Sequence, residues 1–108
     1  MEKLRNLLGQ AHRARKLALG RSACRRAAGT GRLHAVFVAR DAGASAVRDS
    51  GVGETVACVA VDLDKEQLGS LVGRASVAIL GVLDPRLATE LLRLVEAESG
   101  PPSRGEAR

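Results

Sequence analysis

Aromatic residues are almost missing from this sequence of 108 residues. Phe37 is the only phenylalanine, and there is no tyrosine and no tryptophan. A hydrophobic core must therefore be built from aliphatic side chains, and Phe37, in the middle of an apolar run, is predicted to belong to it. The same shortage excludes a surface that holds single-stranded nucleic acid by stacking bases on tyrosine or phenylalanine.

Other shortages exclude further classes of protein. No apolar run is long enough to cross a membrane, and the charged start has no apolar segment behind it that would make a secretory signal. The two cysteines, Cys24 and Cys58, are expected to be free thiols in a reducing cytoplasm. No cysteine or histidine pair has the spacing of a zinc site, and no nucleophile has a recognisable base partner. We therefore predict a protein that is not an enzyme and has no metal, cofactor or small-molecule substrate.

Acidic residues are scarce in the first third of the chain. Residues 1–34 contain nine lysines and arginines against one acid, whereas the remaining residues contain eight basic and eleven acidic side chains. The isoelectric point is about 10.2. A small protein that gathers cations at one end presents a face to a polyanion, and in the cytoplasm nucleic acid is the leading candidate.

Apolar spacing predicts one α/β domain over residues 1–98, followed by a flexible tail over residues 99–108. Helices are predicted over a stripe of Leu4, Leu7, Leu8 and Ala11, from Ser22 to Ala28, from Ala44 to Asp49, and after the N-cap residues Asp64 and Asp84. Strands are predicted within residues 17–19, 35–39, 56–61 and 77–83. Continuous apolar runs are typical of strands covered on both faces, so we expect one small sheet with helices on both sides.

The start of the second helix is the predicted anion site. Gly20, Arg21 and Ser22 open this helix, Ser22 as its N-cap, and Arg25 and Arg26 follow in its first turns. Exposed N–H groups and the helix dipole attract phosphate there. Arginines at the positive end of the dipole destabilise the helix, and a bound anion would offset this cost. Lys16 is expected near the same end. The alternative is a solvated basic helix without a ligand.

Two groups of residues carry a family resemblance. The segment Gly20–Arg26, Gly31 ten residues before Asp41, and the strand 36–39 resemble the kink-turn-binding ribosomal protein superfamily, the group of the archaeal large-subunit protein seven-Ae and its thirty-e relative. Residues 7–11 and 68–73 resemble its small bacterial YlxQ-type member, a ribosomal-protein-like RNA-binding protein. The resemblance covers roughly residues 4–95. It implies a three-layer α/β/α sandwich around a small mixed sheet of about four strands.

The resemblance also implies an RNA surface made by the start of the second helix and the loop before the last strand. Gly20 and Arg26 match the glycine and the basic residue of the family's helix start, but Ser22 and Ala23 replace the Asn-Glu pair that reads sheared G·A pairs. Neither replacement can make those base contacts. The loop Arg74, Ala75, Ser76 and Val77 matches the family loop that packs on a bulged nucleotide, and the alternative is a plain helix-to-strand turn.

These observations predict a cytoplasmic RNA-binding protein that docks a basic face on structured RNA, ribosomal or other, with the ribosome as one expected partner. Lys16, Arg21, Arg25 and Arg26 are expected to contact phosphates, and Gly20 to allow close approach of the RNA backbone. Residues 75–77 are expected to pack against an extruded base. The alternative is a protein–protein adaptor with the same fold and little RNA affinity.

Overall fold

The computed structural model describes residues 2–42 and 56–99, and every element in those ranges matches a predicted one. The helices are α1 (Glu2–Arg13), α2 (Gly20–Gly29), α3 (Lys65–Leu71) and α4 (Pro85–Ser99). The strands are β1 (Leu17–Leu19), β2 (Ala35–Val38), β3 (Ala57–Ala60) and β4 (Ile79–Val82). The predicted helix over 44–49, and the predicted tail beyond residue 99, lie outside the described residues.

The four strands form one mixed sheet in the order β1-β4-β2-β3. β4 runs antiparallel to both of its neighbours, with Leu19 opposite Leu80 and Val38 opposite Ile79, whereas β2 and β3 are parallel. The start of β4 therefore lies at the same end of the sheet as the end of β1 and the end of β2.

Alternate residues of the central strands enter two separate cores, which confirms the predicted α/β/α layers. Phe37 and Leu80 pack with α1, α3 and α4 on one face, while Val36 and Ile79 pack with α2 on the other. Both central strands are buried along their whole length. Phe37 is fully buried, as predicted for the single aromatic residue.

The outer strand β3 does not match the prediction that its continuous apolar run is covered on both faces. Ala57 and Ala60 are exposed, and Cys58 and Val59 are only half-buried. β3 lies at one edge of the sheet, so its apolar run is only partly covered. An apolar run reports burial, but the position of a strand in the sheet depends on the tertiary fold.

Two aspartate caps fix the starts of α3 and α4, as the sequence predicts. Asp64 accepts from the Gln67 N–H at 2.8 Å, and the Gln67 side chain accepts from the Asp64 N–H at 2.9 Å, completing a capping box. Asp84 accepts from the N–H groups of Arg86 and Leu87 at 2.8 and 3.1 Å. The side chains therefore satisfy donors that a helix start leaves without intrahelical partners.

None of the described helices has the length and apolarity that crossing a bilayer requires.

Candidate nucleic-acid interface

The helix α2 begins immediately after β1, through a single glycine. Gly20 has a φ of +90°, in the region that favours glycine, and this conformation turns the strand directly into the helix. The N-cap is Leu19, whose side chain makes no capping hydrogen bond. The prediction that Ser22 caps the helix is therefore wrong, because the turn at Gly20 places the N-cap three residues earlier, at Leu19.

Cations lie along the whole exposed face of α2. Arg21, Ser22, Arg25 and Arg26 are exposed, whereas Cys24 and Ala27 are buried against the sheet. Positions one turn apart share a face of a helix, and α2 contains no acidic residue. A helix of ten residues is about 15 Å long. The structure thus presents a basic stripe along α2, which we call the α2 face (residues 21, 22, 25 and 26).

The prediction that the arginines gather at the start of α2 is correct for Arg21 but wrong for Arg26. Arg26 lies in the last turn of α2, because the helix ends at Gly29. At that end the dipole favours a cation, so Arg26 does not oppose it. Of the three arginines, only Arg21 lies in the first turn of α2, where a cation opposes the helix dipole.

Lys16 lies at the opposite end of β1 from Gly20, not near the helix start as expected. Its carbonyl accepts from the N–H of Leu83 at 2.8 Å, beyond the last residue of β4. Its ammonium contacts the Asp84 carboxylate at 3.0 Å. The hydrogen bond from Lys16, followed by those from the backbone of α4, lowers the pKa of Asp84. Lys16 therefore ties β1 to the start of α4.

The end of α2 forms one wall of a cleft at the edge of the sheet. Gly31 has a φ of +74°, and the Arg32 N–H donates to the Ala27 carbonyl at 2.9 Å, so the chain folds back against the last turn. Arg26 and Arg32 line the cleft together with apolar side chains of α2 and β1. Its volume is about 380 Å³. Arg32 is not among the site residues predicted from the sequence, although Gly31 before it marks the reversal that places it there.

The loop before β4 is held by a close approach of its backbone to α3. The Arg74 N–H donates to the Gly69 carbonyl at 2.8 Å, and a Cβ at Gly69 would lie 2.6 Å from the Arg74 carbonyl oxygen. Arg74, Ala75 and Ser76 are exposed, but Val77 is buried in the core under α3. Val77 is therefore not part of the exposed loop surface that the sequence predicts.

The sheet brings this loop and the helix start to one end of the molecule. Leu19 is opposite Leu80, so Gly20 and Arg21 lie beside the residues that enter β4. Gly20, Arg21 and residues 74–76 therefore lie toward the same end of the sheet. Arg25 and Arg26 continue along α2 toward the other end.

Acidic residues near the ends of β2 and β3 have structural partners. Arg40 contacts Asp62 at 2.9 Å and Asp64 at 3.9 Å, and the hydrogen bond to Asp62 raises the pKa of Arg40 above its ordinary value. Asp41 accepts from the N–H of Lys65 at 2.9 Å. Within residues 2–42 and 56–99, no group of three or more potential ligands is placed to hold a metal ion.

Cys24 is a core residue rather than a reactive thiol. It is fully buried, and burial, followed by the neighbouring Cys58 thiol, raises its pKa to about 11. Because the thiolate is the reactive form, Cys24 stays protonated and unreactive near neutral pH. A Cβ placed at Gly81 would lie only 2.9 Å from the Sγ of Cys24. The helix α2 therefore packs directly on the backbone of β4, where Gly81 has no side chain.

Several solved structures share this fold, including one from Bacillus halodurans and one from Giardia lamblia. A protein with unknown function from Bacillus halodurans superposes with a TM-score of 0.78 at 26% sequence identity, over 89% of this chain and 99% of that one. The Giardia lamblia 15.5kD RNA binding protein superposes with a TM-score of 0.62 at 20% identity, over 87% of this chain and 85% of that one. No family model and no curated protein matches the sequence. The chain therefore has the fold of a known RNA-binding protein.

Proposed function

We propose that this chain is a cytoplasmic, non-catalytic RNA-binding protein that docks the α2 face on structured RNA. The observation that carries the proposal is the stripe of Arg21, Arg25 and Arg26 on a helix that contains no acid. Guanidinium groups bind phosphates with a planar, forked set of donors. The shared fold of the Giardia protein, whose name states RNA binding, supports the same class of ligand.

The bound RNA is recognised by its shape and its backbone. Ser22 and Ala23 occupy the positions where the resembling family has its Asn-Glu pair, and neither has the amide or carboxylate that makes the family's base contacts. Phe37 is the only phenylalanine, tyrosine or tryptophan among the described residues, and it is buried. A folded RNA, ribosomal or other, presents closely spaced phosphates that the fixed arginines of a helix can match. A YlxQ-type role on ribosomal RNA is the finer form of this proposal.

The replacement of the Asn-Glu pair by Ser22 and Ala23 also favours a second function, a protein–protein adaptor. In an adaptor, the α2 face would bind an acidic protein surface. The two functions differ in what a crosslink captures, RNA or another polypeptide.

Crosslinking in living cells, followed by sequencing of the attached RNA, tests the proposal. The wild-type protein should recover a defined set of structured RNAs. The variant Arg25→Ala with Arg26→Ala should lose most of it. A matched control, Arg86→Ala with Arg93→Ala, removes the same charge from exposed positions on α4, across the sheet from α2, and should retain the RNA. Recovery of protein without RNA would instead support the adaptor.

A further inference from the structure

The cleft beside α2 is lined by aliphatic side chains, by Thr30 and by two arginines that give it positive charge. Leu17 contributes from the edge strand β1, Leu83 from just beyond the end of β4, and Ala23 and Ala27 from α2. Arg26 and Arg32 contribute guanidinium groups. No carboxylate lines it among the residues that the structure describes. A volume of about 380 Å³ falls in the range of small-ligand sites.

The cleft exists because small residues of α2 meet the edge of the sheet. Ala23 and Ala27 are one turn apart and face β1 with only methyl groups. β1 pairs with β4 alone in the described sheet, so its other side is open. The cleft adjoins the α2 face, because Arg26 belongs to the α2 face and also lines the cleft.

Building on the RNA-binding function proposed above, we propose that this cleft holds one unstacked nucleotide of the bound RNA. The flat base packs against Leu17, Leu83 and the two alanine methyls, while Arg26 and Arg32 bind its phosphate or stack on its face. An RNA strand that follows the α2 face from Arg21 reaches the cleft at the end of the helix. The apolar floor and the guanidinium planes supply the stacking surface that aromatic residues provide in other RNA-binding proteins.

An acidic peptide added as a strand to β1 fits this edge less well. The Leu83 N–H donates to the carbonyl of Lys16, so the alternation of an antiparallel ladder directs Lys16 and Ala18 toward β4. Only Leu17 and Leu19 direct backbone groups outward, and Leu19 is already the N-cap of α2. So short an edge offers too few hydrogen bonds to hold a peptide by strand addition.

Two RNA hairpins with the same stem test the proposal on the full chain. One carries a single bulged 2-aminopurine, and the other is fully paired. Binding is measured by fluorescence anisotropy of an end label, and 2-aminopurine emission reports the environment of the bulged base. We expect the wild type to bind the bulged hairpin about tenfold more tightly, as for the stacking of one base, with a change in 2-aminopurine emission.

Filling the cleft should remove this preference. Ala23→Leu leaves every cation in place and is expected to bind both hairpins with the affinity of the wild type for the paired one. Ala97→Leu, the same change at an exposed position of α4, should keep the preference. Arg32→Ala, at an exposed position, should reduce the preference for the bulged hairpin severalfold, and Arg93→Ala is its control. If Ala23→Leu fails to fold, this pair of variants tests the cleft.

The outcomes separate the cleft from the proposed function. Tight, salt-dependent binding by the wild type with no preference for the bulge would overturn the cleft proposal and leave RNA binding standing. A preference that survives both Ala23→Leu and Arg32→Ala would also overturn it. Binding of neither hairpin would reject RNA binding by the α2 face as well. Binding of an acidic decapeptide that Ala23→Leu abolishes, without a bulge preference, would assign the cleft to a protein segment.

Discussion

The packing of α2 on β4 at Gly81 fixes the position of the α2 face. A Cβ at Gly81 would lie 2.5 Å from Cδ1 of Leu33 and 2.9 Å from Sγ of Cys24. Non-bonded carbon atoms normally pack at about 3.5–4.0 Å. Gly81→Ala therefore requires both side chains to move by about 1 Å in a densely packed core.

Such overpacking costs about 1–3 kcal/mol. We expect Gly81→Ala to lower the free energy of unfolding by about 2 kcal/mol and the thermal midpoint by about 10 °C. Cys24→Ala removes the Sγ that obstructs the new methyl group. The double variant should therefore be about 1 kcal/mol more stable than the sum of the two single effects predicts.

Urea unfolding of the wild type, the two single variants and the double variant, followed by circular dichroism, measures this coupling. Gly29→Ala is the control, because no atom lies within 4 Å of a Cβ placed there. It should be neutral or slightly stabilising, since alanine favours a helix over glycine. If Gly81→Ala were as stable as the wild type, or if the two single effects added up in the double variant, the close packing of α2 on the backbone at Gly81 would be refuted.

Three further predictions concern the caps and the thiols. The pKa of Asp84 is lowered, mainly by the hydrogen bond from Lys16. The ionised carboxylate therefore stabilises the fold fully at pH values above an ordinary carboxyl pKa of about 3.9. This stabilisation is lost as the pH falls through the lowered pKa. In thermal unfolding, Asp84→Asn should thus be less stable than the wild type at pH 7, and the difference should shrink as the pH falls below about 3.9. Asp64→Ala removes the N-cap of α3 and should cost about 1 kcal/mol in urea unfolding, whereas an unchanged midpoint would contradict the capping box. Iodoacetamide at pH 8 should label half-buried Cys58 faster than fully buried Cys24 in mass spectra, and equal rates would contradict the burial of Cys24.

Local sequence signals predict most of the fold. The leucine stripe of α1, the capping box at Asp64 and the Asp84-Pro85 start of α4 all act within one or two helical turns, and each is confirmed. Apolar runs locate all four strands. The exposure of Ala57 and Ala60 in β3 could not be predicted, because strand order depends on contacts between distant segments.

The candidate site was only partly predictable for the same reason. The sequence locates the arginines of α2, but their distribution along the helix depends on where α2 begins and ends. That start is set by the φ of +90° at Gly20, which the sequence alone did not reveal. Arg32 joins the site only through the reversal at Gly31. Lys16 leaves it because β1 separates Lys16 from Gly20 by the length of a strand, about 10 Å.

The salt dependence of RNA affinity tests the central claim most directly. Binding of a paired RNA hairpin is measured by anisotropy from low to physiological salt, and each phosphate contact contributes about 0.9 to the slope of log affinity against log salt. Arg25→Ala with Arg26→Ala should flatten the slope by about 1.5–2, while Arg86→Ala with Arg93→Ala should leave it unchanged. Equal slopes for the wild type and the α2 variant, or equal losses from both double variants, would contradict an RNA-binding α2 face.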